Sequence, residues 1–159
     1  MAIRIHIGAH KTATTELQWA LVATRKRLLR GGMAFLGPES LRGQSIALHD
    51  ALRSAVPHVA RRVTAQFSQA IEDSRNLLIS EENIIGTTTR SGVIGAEGQL
   101  YPRAQVQLGR MLKLLGGRPV ELFMAMRDPA DFVTSTYGQQ LRRPLPLHQD
   151  VYLRDFRLE

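Results

Sequence analysis

The chain has 159 residues, the size of one ordinary domain, and 43% of them are hydrophobic, enough to build a core of its own. Cysteine is absent, which excludes disulfides, thiolate zinc sites and cysteine nucleophiles and fits a reducing cytoplasm, and no apolar run approaches the roughly 20 residues of a membrane span. Lys and Arg number 21 against 14 Asp and Glu, a net charge of +7, so an anionic partner is expected; the cations lie in short, scattered clusters such as Arg25-Lys26-Arg27, Arg61-Arg62 and Arg142-Arg143, which favours a small anion over nucleic acid.

Ile3-Arg4-Ile5-His6-Ile7 alternates β-branched with polar residues and stops at Gly8, the pattern of a strand feeding a tight turn. Residues 14–30 carry Leu17, Leu21, Val22, Leu28 and Leu29 at near-helical spacing, with Glu16 in the first turn and Gly31-Gly32 as a stop. That spacing predicts one helix, with Trp19 in the core. Residues 33–36 read as a short second strand, and 45–73 as helix interrupted near Pro57. Leu77-Leu78-Ile79 is a short apolar run of the kind buried on both faces of a parallel sheet. Residues 87–98, rich in Thr, Gly and Ser, read as a long surface loop, 104–115 as a helix ended by Gly116-Gly117, and 119–126 as the last clear strand. Asp128-Pro129 reads as an N-cap with Pro at the first helical position, opening a helix over 130–141; 148–156 begins another amphipathic stretch. Strands alternating with helices predict one α/β domain over residues 1–159, three layers α/β/α around a mostly parallel sheet.

The segment HIGAHKTATTELQ, from His6 to Gln18, runs from strand through Gly8 into a helix opened by threonines. Such a turn aims main-chain N–H groups and the helix dipole at one point, where an anion is stabilised. Lys11 adds a mobile cation, and Thr12, Thr14 and Thr15 add hydroxyls. A nucleoside triphosphatase loop has its lysine directly after the second glycine, whereas here no glycine precedes Lys11.

KTATT instead resembles the 5′-phosphosulfate loop of sulfotransferases that use 3′-phosphoadenosine 5′-phosphosulfate (PAPS), with Ala13 standing where that family usually has glycine. An alanine there is unstrained at negative φ and strained at positive φ. A second segment resembles the family's 3′-phosphate motif. The strand ending at Met126 runs into Arg127-Asp128-Pro129, and Ser135 follows two turns into the next helix; the stretch DFVTSTYGQQL is similar to the bacterial branch of the superfamily.

This resemblance implies a P-loop-like sulfotransferase fold, C-terminally truncated because complete members continue well past the second motif. It implies a nucleotide site of Gly8, His10, Lys11, Thr12, Ala13, Thr14 and Thr15 at the 5′ end, with Arg127 and Ser135 on the 3′-phosphate. Lys11 would neutralise the bridging oxygen of the leaving phosphate, and no metal is required.

The acceptor, a hydroxyl or amine compound, needs a base. Family members carry a Glu or His there, and Ser80-Glu81-Glu82 after the third strand points to Glu82, with Glu81 second. The adjacent carboxylates are expected to raise one another's pKa if both face the cleft. His6, alternating with apolar neighbours, reads as a sheet-face histidine without a catalytic role, and His10 as a loop residue within reach of phosphate or exposed. Arg142, Arg143 and residues 87–98 are candidates for lining an acceptor pocket.

The rival readings are a truncated or degenerate nucleotide-binding domain without activity, a nucleotide kinase of the P-loop class, and nucleic-acid binding through net charge. The kinase is disfavoured because no strand-terminal Asp of Walker-B type is present. Oligomeric state is not encoded in any pattern of this sequence.

Overall fold

Four parallel strands in the order β2-β3-β1-β4 form the centre of the structure, a computed structural model that describes residues 2–43, 45–53 and 56–154. In chain order the elements are β1 Ala2–His6, α1 Thr14–Ala23, α2 Arg25–Arg30, β2 Met33–Leu36, α3 Pro38–Leu41, α4 Leu48–Arg53 and α5 Pro57–Glu72. Then follow β3 Asn76–Ser80, a 3₁₀ turn Glu82–Ile84, α6 Arg90–Val93, α7 Ala104–Leu114, β4 Val120–Phe123, α8 Pro129–Gln140 and α9 Gln149–Leu153.

The register sets Ile3 beside Leu77 and Ile5 beside Ile79, and all four side chains are buried. Paired residues of a parallel ladder share a face. The opposite face carries His6 beside Ser80 and Phe35 beside Leu78; Gln18 of α1 reaches Ser80, and Arg25 of α2 lies over the Phe35 ring. Helices α4, α5 and α7 contact one another, and α5 contacts β3. The molecule is therefore α/β with an all-parallel sheet, consistent with three layers. Among the described residues no helix is long and apolar enough to cross a membrane.

Several predicted elements change. The helix over 14–30 divides at Thr24, whose hydroxyl donates to the carbonyls of Ala20 and Leu21 at 2.8 and 3.3 Å and competes with the helical ladder. The loop over 87–98 contains α6, and Ile94 bridges Leu100 just beyond it. The strand over 119–126 shortens to β4, but its hydrogen bonding runs on: Ala9 N donates to Ala125 O at 3.0 Å and Ala125 N to Gly8 O at 2.6 Å. The stretch 148–156 contains α9, with residues 155 and 156 outside the described residues.

The first helix corrects a core assignment. Trp19 is 65% exposed, and Leu17, Val22 and Leu29 are exposed too, while Thr14 and Gln18 are the buried residues of α1. The apolar stripe does not set the rotation of this helix. Thr14 Oγ1 donates to Ala9 O at 3.0 Å, and Gln18 Nε2 donates to Ser80 Oγ at 3.3 Å and Glu82 Oε2 at 2.8 Å. These bonds turn positions 14 and 18, one helical turn apart, toward the sheet.

Candidate functional site

The C-terminal ends of β1, β3 and β4 converge on the loop 7–13, where open parallel sheets place their ligand crevices. Gly8 takes φ 101°, and a Cβ there would meet Glu82 Cβ at 3.0 Å, so the sheet end admits glycine alone without displacement. Lys11 and Ala13 also take positive φ, 62° and 58°. Ala13 thus stands in the left-handed conformation that favours glycine, and it is the N-cap of α1 without a side-chain acceptor to offer.

The loop is braced from within. Thr12 and Thr14 hydroxyls both donate to Ala9 O, at 2.7 and 3.0 Å, and lie 3.3 Å from each other. Thr15 is exposed. The first ladder bond of α1 is Leu17 N to Ala13 O at 3.2 Å, and the N–H groups of residues 11–16 find no acceptor among the described residues. Together with the half-buried Lys11, which forms no ion pair among the described residues, they make a concentrated set of donors.

Arg127 joins this set from the other junction. Its Nη1 donates to Lys11 O at 3.2 Å, and its Nη2 lies 3.7 Å from Asp131. Asp128 caps α8 as expected, accepting from Ala130 N at 3.0 Å and Asp131 N at 3.2 Å. Ser135 is half-buried on α8, and among the described residues no hydrogen bond joins it to Arg127 or the loop.

His10 is 3% exposed, and both ring nitrogens have partners. Nε2 lies 3.2 Å from Asn83 Oδ1, and Nδ1 3.0 Å from the Tyr101 hydroxyl, which also accepts from His10 N at 3.0 Å. An amide oxygen only accepts, so Nε2 carries the proton and the tyrosine donates to Nδ1 in the neutral ring. Burial, opposed by the Asn83 hydrogen bond and the nearby carboxylates, lowers the His10 pKa. Burial likewise pushes the Tyr101 hydroxyl up to about 12. His6 pairs Nδ1 with Ser80 Oγ at 2.9 Å and is lowered by burial, in keeping with a satisfied sheet-face residue.

The two glutamates are clamped by Arg42. Its Nε and Nη2 fork onto Glu81 at 2.7 and 2.6 Å, and Nη2 also reaches Glu82 at 2.7 Å. Glu81 additionally accepts from Asn83 N at 2.9 Å and is 3% exposed. The hydrogen bond to Glu81 raises the Arg42 pKa, fixing it as a cation. Burial acts to raise the Glu82 carboxyl, but hydrogen bonds from Arg42, from its own main chain and from Gln18 outweigh it and hold Glu82 below its ordinary value. This departs from the expected mutual raising, because a guanidinium sits between the carboxylates.

Gln18, Arg42, Asn83 and Tyr101 are absent from the sequence-derived site. Gln18 lies one turn after Thr14 and was open to detection by helical spacing. Arg42 and Tyr101 sit in irregular segments and Asn83 in a single 3₁₀ turn, too short for spacing to carry a signal. No family model matches the chain, and neither a curated protein nor a solved structure does.

Proposed function

We propose that the chain binds PAPS across the two junctions and transfers its sulfuryl group to a hydroxyl or amine acceptor. The observation that carries this reading is the hydrogen bond from Arg127 to the Lys11 carbonyl, which brings the two sequence motifs within a single side chain's reach. The uncapped donors of residues 11–16 suit a 5′-phosphosulfate, and the forked guanidinium of Arg127 suits a second phosphate, with Ser135 as its expected helper. The positive φ of Ala13 supports the same correspondence, since the family's glycine belongs at that position.

In the proposed reaction the acceptor oxygen or nitrogen attacks sulfur in line, the bond from sulfur to the bridging oxygen breaks, and adenosine 3′,5′-bisphosphate leaves. Lys11 stabilises the charge gathering on that oxygen. Glu82 is the better proton acceptor of the pair. An ionised carboxylate offers about four lone-pair sites. Glu81 spends three on Arg42 and Asn83 N, and Glu82 three on Arg42, its own main chain and Gln18, but the Glu82 side chain is 14% exposed against 4% for Glu81 and is the one an acceptor can reach. The same clamp favours a second reading, a nucleotide-binding domain without transfer activity, because Glu82 held below its ordinary value is a weak base.

Calorimetric titration with adenosine 3′,5′-bisphosphate tests the binding reading. Lys11→Ala and Arg127→Ala are each expected to weaken binding by about tenfold or more, the worth of one charge-assisted contact. Equal affinity in all three chains would remove it. Transfer of labelled sulfate from PAPS to an acceptor separates the active from the inactive reading.

A further inference from the structure

Helices α1 and α2 present one face to the sheet although they divide at Thr24. Thr14 and Gln18 are buried and Leu21, Arg25 and Leu28 half-buried, positions separated by four, three, four and three residues, the repeat of a single helix face. Hydrogen bonds carry that register over the division: Thr24 N donates to Ala20 O at 3.1 Å and Leu28 N to Thr24 O at 3.0 Å. The pair therefore has a fixed outer side.

Along that side runs a second stripe at the same spacing, Thr15, Trp19, Val22, Lys26 and Leu29, with Arg30 beside its end, and all six are exposed. Single exposed apolar residues are ordinary, but here Trp19, Val22 and Leu29 stand in one row, 65%, 40% and 56% exposed. The cations at the end of the row are also unoccupied. Arg25 is engaged, bonding Phe35 O and Ser40 Oγ at 3.0 Å and pairing with Glu39 at 2.9 Å, whereas Lys26, Arg27 and Arg30 are exposed and form no ion pair among the described residues. Glu16 is the only acid between residues 14 and 30, about 15 Å of helix before Lys26.

Charge and polarity together select what covers this stripe. A second copy would bring Lys26 and Arg30 against their own kind on a chain that already carries +7. A nucleic acid would satisfy the cations and leave Val22 and Leu29 without an apolar partner. An anionic bilayer surface satisfies both, because indole and aliphatic side chains enter the boundary between headgroups and acyl chains while Lys and Arg reach acidic headgroups.

We propose that the outer stripe of α1 and α2 docks the chain on an anionic membrane surface, with Trp19, Val22 and Leu29 in the interface and Lys26, Arg27 and Arg30 on the headgroups. The helices lie on the surface rather than cross it. This inference does not depend on the sulfuryl-transfer reading.

Trp19 is the only tryptophan of the chain, so its fluorescence reports on this stripe alone. Vesicles of phosphatidylcholine mixed with phosphatidylserine are expected to shift its emission to the blue and to carry the chain down on sedimentation. Vesicles of phosphatidylcholine alone should do so far less, and added salt should release the chain. The double variant Lys26→Glu, Arg30→Glu, at two exposed positions that do not threaten folding, is expected to weaken sedimentation at least about 25-fold, from about fivefold per cation at an anionic surface. Trp19→Ser, followed by sedimentation, is expected to weaken it about tenfold. Unshifted emission and no sedimentation with the mixed vesicles overturn the proposal. Sedimentation undiminished in either variant overturns the assignment to this stripe. A blue shift with poly-glutamate and none with vesicles also overturns it, and gives the stripe to an acidic protein instead.

Discussion

Arg127 donates a hydrogen bond to the main-chain carbonyl of Lys11 across 3.2 Å, linking residues 116 positions apart. The parallel pairing of β1 with β4 makes this contact possible, because both strands deliver their C-terminal ends to the same edge and their ladder continues through Ala9 and Ala125. A guanidinium fixed there steadies the loop and has N–H donors beyond the one it gives to Lys11 O.

Ala13→Gly relieves a left-handed alanine that costs about 1–2 kcal/mol, partly offset by the greater freedom of glycine in the unfolded chain. A net gain of up to about 1 kcal/mol is expected, read as a rise in Tm by calorimetric scanning. A fall in Tm would show that the alanine is not strained. Ala13→Val, β-branched at positive φ, is expected to lower Tm clearly.

Arg42→Met leaves Glu81 and Glu82 as neighbouring carboxylates without their cation. A cost of about 2–3 kcal/mol at pH 7 is expected, reduced from the figure for a fully buried pair because Arg42 is partly solvated. Since the folded Glu82 pKa lies below its ordinary 4.5, its stabilisation is complete above that pH and is lost as pH falls through the folded value. The gap between wild type and variant, measured by urea unfolding, therefore narrows below about pH 4.5. A gap of constant size from pH 7 to acid would contradict the clamp.

Tyr101→Phe removes the hydroxyl that accepts from His10 N and donates to Nδ1, at an expected cost of about 1–3 kcal/mol for unpaired buried groups. Because the His10 pKa is lowered in the folded chain, the unfolded state takes the proton first, and stability falls as pH drops below 6.5 toward the folded value. His6 and His49, also lowered, act in the same direction. Proton NMR of wild type is expected to give a His10 midpoint below 6.5; a midpoint at or above it contradicts the neutral, doubly bonded ring.

Trp19→Ser is expected to change stability by no more than about 0.5 kcal/mol, as befits an exposed side chain, whereas Phe67→Ala, fully buried in α5, should cost about 3–5 kcal/mol. Comparable losses for the two would place Trp19 back in the core.

The strands and the loop were legible because they rest on local signals: alternation at Ile3 to Ile7, the apolar run at Leu77 to Ile79, and the capping pair Asp128-Pro129. The rotation of α1 was not legible. Its apolar residues suggested the buried face, but hydrogen bonds from Thr14 and Gln18 to distant partners decide it. Arg42 was hidden for the same reason: its partners are 39 and 40 residues away, and nothing local marks an arginine in an irregular segment as the clamp of a carboxylate pair.

Gripping one nucleotide at both ends is tested most directly by the ratio of affinities for adenosine 3′,5′-bisphosphate and adenosine 5′-monophosphate in wild type, Lys11→Ala and Arg127→Ala. Wild type should prefer the bisphosphate by about tenfold or more, Lys11→Ala should weaken both ligands and keep the preference, and Arg127→Ala should abolish it. A preference that survives Arg127→Ala intact would mean that the second junction does not hold the 3′-phosphate.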